Sequence, residues 1–382
     1  MENEGKEGFV CSSGTENGGE DVYSCNKQSD ASSVDHLVIM VHGILGSASD
    51  WKFAAEQFVS KLPDKVFVHC SERNMAKLSL DGVDVMGERL AEEVLDVIKR
   101  KPDLRKISFV AHSVGGLVSR YAIGRLYRPP NRESSELSAT SNEKEPNGTI
   151  AGLEPINFIT FATPHLGSRG NKQVPFLFGV PAFERLAGCM MMKEMPPLLK
   201  CMLEDRGELH FMSALRSFQR RVAYSNVGYD HIVGWRTSSI RRNIELPKWE
   251  DSLDEKYPHI VYEERCKASD GEQCESVSTY DDGLDELEEE LVIGLSRLTW
   301  EKVDVSFHRS KLKFAAHSVI QNARGTMRML SLVGQEISDR NSFLYFHEDI
   351  DAMMSQAYSM LLCVGPFDTC PFFTSSWINL RQ

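Results

Sequence analysis

The chain has 382 residues, 41% hydrophobic and 26% charged, ordinary values for a globular protein and enough length for one large core or two smaller ones. It contains no window of about 18 or more uncharged apolar residues that would read as a membrane-spanning helix. A net charge of −12, from 43 basic and 55 acidic residues, argues against a generally basic nucleic-acid-binding surface, so no nucleic-acid partner is expected. The nine cysteines are scattered from Cys11 to Cys370 without a C-x-x-C pair. They read as free thiols of a reducing compartment, with the cytoplasm as the expected location and no metal or cofactor implied.

Residues 1–33 are rich in Gly, Ser, Asn and Glu with almost no aliphatic side chains, and read as a disordered leader. They lack the basic-then-apolar order of a signal peptide, and Glu2 does not fit an N-myristoylation pattern. From His36 to Gly43 a continuous apolar run ended by glycine predicts a strand buried on both faces. A helix follows at Asp50 to Leu62 and a second strand at Val66 to Cys70. Met86, Leu90, Val94, Val97 and Ile98 then recur at helical spacing. A third strand is predicted at Ile107 to Ala111 and a helix from Gly115 to Tyr127. Pro129 to Asn147 is a polar surface loop. Further strands are predicted at Ile156 to Ala162, Val222 to Asn226 and Val303 to Phe307. Strand and helix alternating at this rhythm predict a mostly parallel central sheet with helices on both faces, an α/β class protein occupying 34–382.

Ala111-His112-Ser113-Val114-Gly115 lies where a buried strand turns into an amphipathic helix. Small residues two before and two after the serine let strand and helix approach while Ser113 is held in a strained turn, the requirement of a nucleophile elbow. Gly43 to Gly46 follows the first strand, where the backbone N–H groups of Ile44 and Val114 would face one carbonyl oxygen as an oxyanion hole. His42, Gly43 and His112 are expected to touch substrate. A serine hydroxyl needs a histidine to take its proton and a carboxylate to orient that histidine. In the chain order Ser, acid, His, Asp230 behind the Val222 strand is the acid, and its neighbour His231 points to the surface. His308, His317 and His347 compete for the base. His317, between the last strand and an apolar run, fits best.

The blocks VIMVHGILGS, ISFVAHSVGGLVSRYAIG, FITFATPHLGS, the Tyr224 to Ser238 segment and FAAHSVI resemble the putative serine esterase family of lipase-like α/β-hydrolases of plants and fungi, over about residues 36 to 325. The resemblance implies an α/β-hydrolase fold and a serine hydrolase (esterase or lipase) acting on carboxylic esters, lipid acyl esters among them. It places Ser113, Asp230 and His317 at the catalytic positions. Acyl transfer on the same scaffold, or a non-catalytic ligand-binding protein, are the alternatives.

Two insertions are expected. In the first, at 173–215, Phe176, Phe178 and a run of methionines suit an apolar lid over the site, and His165, just before it, could line the pocket or be structural. The second, at 245–300, is acidic: residues 250–290 hold 16 Asp and Glu against Lys256, Arg265 and Lys267, and reads as a solvated loop. The charge outside it and outside the leader is positive, which predicts peripheral contact with a membrane or lipid-droplet surface. Residues 352–367 are uncharged but too short to span a bilayer, and read as a packed helix.

Overall fold

Apolar runs that alternate their side chains between two helical layers build the sheet. The computed structural model describes residues 34–62, 65–130, 148–167, 197–250, 257–266, 268 and 286–321. The expected leader, most of the 129–147 loop, Phe176, Phe178, His347 and the 352–367 run lie outside the described residues. The strands are β1 (His36–Val41), β2 (Val66–Cys70), β3 (Lys106–His112), β4 (Glu154–Phe161), β5 (Arg220–Asn226), β6 (Ile260–Cys266) and β7 (Trp300–Val305). The helices used here are α1 (Lys52–Lys61), α2 (Val83–Arg100), α3 (Gly115–Leu126), α4 (Phe211–Ser217), α5 (Trp235–Ser239), α6 (Glu286–Ser296) and α7 (Ala316–Val319).

The seven strands lie in the order β6-β7-β5-β4-β3-β1-β2. All neighbours are parallel except β6, which runs antiparallel to β7 at the edge. On one face, Leu37, Ile39, Val41, Ile107, Phe109 and Phe158 pack under α2, α3, α4 and α6. On the other, Val38, Met40, Val68, Val110, Ile159 and Tyr224 pack against Trp51, α1 and α7. Strands buried on both sides explain why the sequence runs are continuously apolar. The register brings the strand ends level: Val41 faces Ala111, His112 faces Phe161, Phe161 faces Tyr224, and Val305 faces Asn226. The segments leaving these carboxyl ends therefore emerge side by side, where open α/β sheets gather their ligands.

Two expectations change. The described end of the first insertion contributes Leu199, Met202, Phe211, Met212, Ala214 and Leu215 to the core, with the exposed residues 204–208 between them, so the Met and Phe content at those positions reflects burial. The acidic segment is also not all solvated loop. It supplies the edge strand β6 and the helix α6, because its carboxylates have partners. Arg241, buried between α5 and β7, holds both Glu264 (2.9 Å) and Asp304 (2.8 Å), and Arg236 holds Glu288 at 2.8 Å. Arg242 pairs with Glu289. Three arginines from one short stretch thus dock the acidic elements, and charge that composition assigns to solvent is neutralised within the fold. Among the described residues no helix is long and apolar enough to cross a membrane.

Candidate active site

Ser113 stands at the turn from β3 into α3 with φ 55°, a left-handed conformation that costs a non-glycine residue on the order of 1–2 kcal/mol. The turn is held in that form by packing and by its backbone. The Ser113 amide donates to the Phe161 carbonyl of the neighbouring strand at 2.8 Å. Gly115 lies so close to the exit of β1 that a Cβ there would meet the carbonyl oxygens of His42 and Val41 at 2.4 and 2.8 Å. A Cβ on Gly116 would strike the Thr163 side chain. The small residues of the motif are therefore set by backbone approach, and Ala111, fully buried, satisfies it as well as glycine would.

The loop after β1 closes as a tight turn in which the Gly46 amide donates to the Gly43 carbonyl at 3.2 Å. Leu45 sits at φ 54° with its amide donating to Ser79 Oγ at 2.6 Å. Gly43 presses against the elbow: a Cβ there would lie 2.9 Å from Ser113 Cβ and 3.2 Å from His112 Nδ1. The turn's hydrogen bonds engage the amides of Leu45 and Gly46, and the elbow's engage those of Ser113, Gly116 and Leu117. Neither set engages Ile44 or Val114, the two amides expected to face a carbonyl oxygen.

Asp230 and His317 complete the geometry. Asp230, buried just past β5, accepts from the amides of Ile232 (3.1 Å) and Val233 (2.8 Å) at Oδ1 and from Asn226 Nδ2 (2.9 Å) at Oδ2. The same Oδ2 lies 3.0 Å from His317 Nδ1, and His317 Nε2 lies 3.0 Å from Ser113 Oγ. A carboxylate only accepts, so Nδ1 carries the proton and the Nε2 lone pair faces the serine hydroxyl. Burial alone would raise the Asp230 carboxyl. The facing His317 and the hydrogen bonds from His317, Val233 and Asn226 outweigh it and hold the group below its usual range.

The remaining expected residues divide. His308 bonds Ser306 Oγ at 2.8 Å and lies against Trp249, whereas His317 is the histidine in contact with Ser113, and His231 is exposed. His165 is fully buried, with Nε2 3.0 Å from Thr160 Oγ1 and its ring edge-on to Trp300, so it is a core residue in place of the pocket-lining role considered for it. His42 is buried, its Nδ1 2.9 Å from the Gly43 carbonyl oxygen. His112, expected to touch substrate, instead places Nε2 2.6 Å from the backbone carbonyl of His317, its ring 4.7 Å from the His317 ring. A carbonyl only accepts, so His112 carries its proton on Nε2. Burial first, and the neighbouring His317 next, push its pKa down to about 3, which keeps it neutral. Sequence reasoning missed Asn226 as a support of the acid; its place at the end of the strand preceding Asp230 was the available signal. Among the described residues no three His, Cys, Asp or Glu side chains gather as a metal-ligand set.

A serine in a strained strand-to-helix turn, with acid and base following in chain order from a parallel sheet, defines an α/β-hydrolase fold with a serine-hydrolase constellation. The family profile described as "Putative serine esterase (DUF676)" matches residues 31–240, more than half of the chain, and the chain belongs to that family. Ser113 and Asp230 fall inside the match and His317 beyond it. Among curated proteins the chain is 29% identical over 211 residues to "Putative lipase ROG1" of Saccharomyces cerevisiae, covering 54% of this chain and 28% of that protein. It is 27% identical over 221 residues to "Putative lipase C4A8.10" of Schizosaccharomyces pombe, covering 54% and 26%. The match thus spans between a quarter and a third of these relatives' length. Among solved structures, the Bacillus licheniformis lipase BlEst2 aligns at 16% identity with a TM-score of 0.34, over 54% of this chain and 71% of that one.

Proposed function

We propose that this protein hydrolyses carboxylic esters, lipid acyl esters in particular, through Ser113, His317 and Asp230. The observation that carries the reading is the unbroken hydrogen-bonded chain from Ser113 Oγ through His317 to Asp230. In this reading Ser113 Oγ attacks the ester carbonyl while His317 Nε2 takes its proton. Asp230 holds the imidazole in the required tautomer and stabilises the imidazolium that forms. The tetrahedral oxyanion is received by the amides of Ile44 and Val114 at the positive end of α3. His317 then protonates the departing alkoxide, leaving an acyl-enzyme, and the same histidine activates water to release the acid. His112 is a positioning residue, and Gly43 keeps the oxyanion turn against the nucleophile. The lipid part of the reading is supported by the lipase names of the relatives and by the apolar 173–196 sequence before the packed segment.

The test is covalent labelling with a fluorophosphonate together with a hydrolysis profile on a lipid extract. Wild-type protein should be labelled at Ser113 and should release fatty acid, and Ser113→Ala should do neither. Folded wild-type protein that takes no label would end the enzymatic reading. Accumulation of a new ester from an added alcohol, in place of free acid, would favour acyl transfer.

A further inference from the structure

Of the large apolar side chains substantially exposed among the described residues, two are aromatic: Phe314 at 64% and Tyr229 at 37%. They touch each other, with ring centroids 5.7 Å apart at 88°. Single exposed apolar residues are common and call for no explanation. These two come from different loops, Tyr229 beside Asp230 and Phe314 three residues before His317, so their contact bridges the acid-bearing and base-bearing segments at the carboxyl edge of the sheet. Lys313 places Nζ 5.3 Å from the centroid of each ring, a cation held over an aromatic pair. Lys311 and Arg309, on the same loop, are exposed. No Asp or Glu occurs between Asp304 and Glu336, although the chain as a whole carries −12.

We propose that Phe314, Tyr229, Lys311 and Lys313 form a docking patch for an anionic lipid bilayer, which seats the segments carrying Asp230 and His317 against the membrane. Aromatic rings with an apolar body and lysines with apolar stems and charged heads are the side chains that settle at the lipid–water boundary. The cationic heads of Lys311 and Lys313 complement acidic headgroups. The size of the patch selects this occupant over a protein. A stable protein partner covers on the order of 800 Å² per side, whereas two half-exposed aromatic side chains offer at most roughly 400 Å². A bilayer accepts a few inserted side chains supported by charge. The purpose of the patch rests on the ester-hydrolase reading, but its test does not.

The full chain is mixed with phosphatidylcholine vesicles with and without phosphatidylserine, and partitioning is read by flotation. Wild type should bind the phosphatidylserine vesicles preferentially. Lys311→Gln with Lys313→Gln should weaken that binding by about fivefold per lysine, and Phe314→Ser should also weaken it. Lys99→Gln, on an exposed lysine of α2, should leave it unchanged. If Phe314→Ser lowers the melting temperature, the lysine variants carry the test, with Lys311→Gln alone as the change at an exposed side chain. No binding by wild type, equal binding to both vesicle types, unchanged binding of the patch variants, or an equal loss with Lys99→Gln would each overturn the proposal. Ser113→Ala protein run in parallel separates the two readings. Patch-dependent binding without fluorophosphonate labelling of wild type would sink the hydrolase and keep the patch, and labelling without patch-dependent binding would do the reverse.

Discussion

His112 Nε2 lies 2.6 Å from the carbonyl oxygen of His317, 205 residues further along the chain, so the residue next to Ser113 holds the backbone of the histidine proposed as its base. Because burial and His317 keep the pKa of His112 near 3, this donor does not titrate over the range in which a serine hydrolase works. Replacing His112 with Ala should lower kcat by about 100-fold, the scale of loss expected from a misplacement of about 1 Å, with KM close to wild type. Asn, which keeps an N–H donor, should recover part of it. Active-site titration separates this from misfolding, since a purely structural role would reduce the number of labelled sites and leave turnover per site unchanged.

Asp230→Asn should reduce kcat by about 10⁴-fold while the protein stays folded, because the amide cannot enforce the Nδ1–H tautomer of His317. Asn226→Ala, which removes one hydrogen bond to Asp230 Oδ2, should cost about tenfold or less. Rates on a soluble chromogenic ester measure both, and equal losses would show that Asn226 acts by some route other than orienting the acid.

Gly43→Ala tests the closeness of turn and elbow. The added methyl would fall 2.9 Å from Ser113 Cβ, so the turn must retreat and carry the Ile44 amide with it. A loss of about 10²-fold or more in kcat is expected, the scale of an oxyanion donor. A crystal structure of the variant should show the displaced turn.

Acid should weaken the fold through buried neutral histidines. His36, bonded to Ser108 Oγ at 2.8 Å, has its pKa lowered to about 4, by burial first and by Lys106 next. Between the unfolded value of 6.5 and about 4, the unfolded chain takes up a proton that the folded chain refuses. Stability is therefore full above pH 6.5 and falls as pH drops, by ~1.4 kcal/mol per unit for one such group. His112 acts in the same direction down to about 3. Urea unfolding at several pH values should give a steep acid limb, and His36→Asn should make it shallower by about one proton.

Arg241 should be the most damaging charge to remove. It is almost fully buried and holds Asp304 and Glu264 together, so Arg241→Met leaves Asp304 uncompensated and should cost about 3–5 kcal/mol. Thermal melting measures the loss. Proteolysis should find new cuts near β6, the strand that Glu264 ties down.

The parts readable from sequence were those fixed by local sterics and chain order. The elbow announced itself because only small residues fit beside Ser113 where β3 meets the exit of β1, and Asp230 and His317 followed from their places after successive strands. The role of His112 was not readable, since the carbonyl it serves is brought near only by the sheet's register. The acidic segment was misread for a related reason. Composition counts Glu264, Glu288 and Glu289 without the arginines at 236, 241 and 242 that the fold sets against them. The 173–215 insertion suited a lid better than core packing in sequence, and burial of Leu199 and Met202 places its described end against the core.

Ser113 and His317 are separated by 204 residues, and His317 follows β7, the last strand in chain order, which lies between β5 and β6. At ribosomal speeds of about 5–20 residues per second, roughly 10 to 40 s pass between the synthesis of the nucleophile and that of its base. Throughout that interval the nascent chain carries Ser113 without the histidine proposed as its base. The order in which the sheet is filled thus leaves the proposed triad incomplete until β7 and His317 have been made.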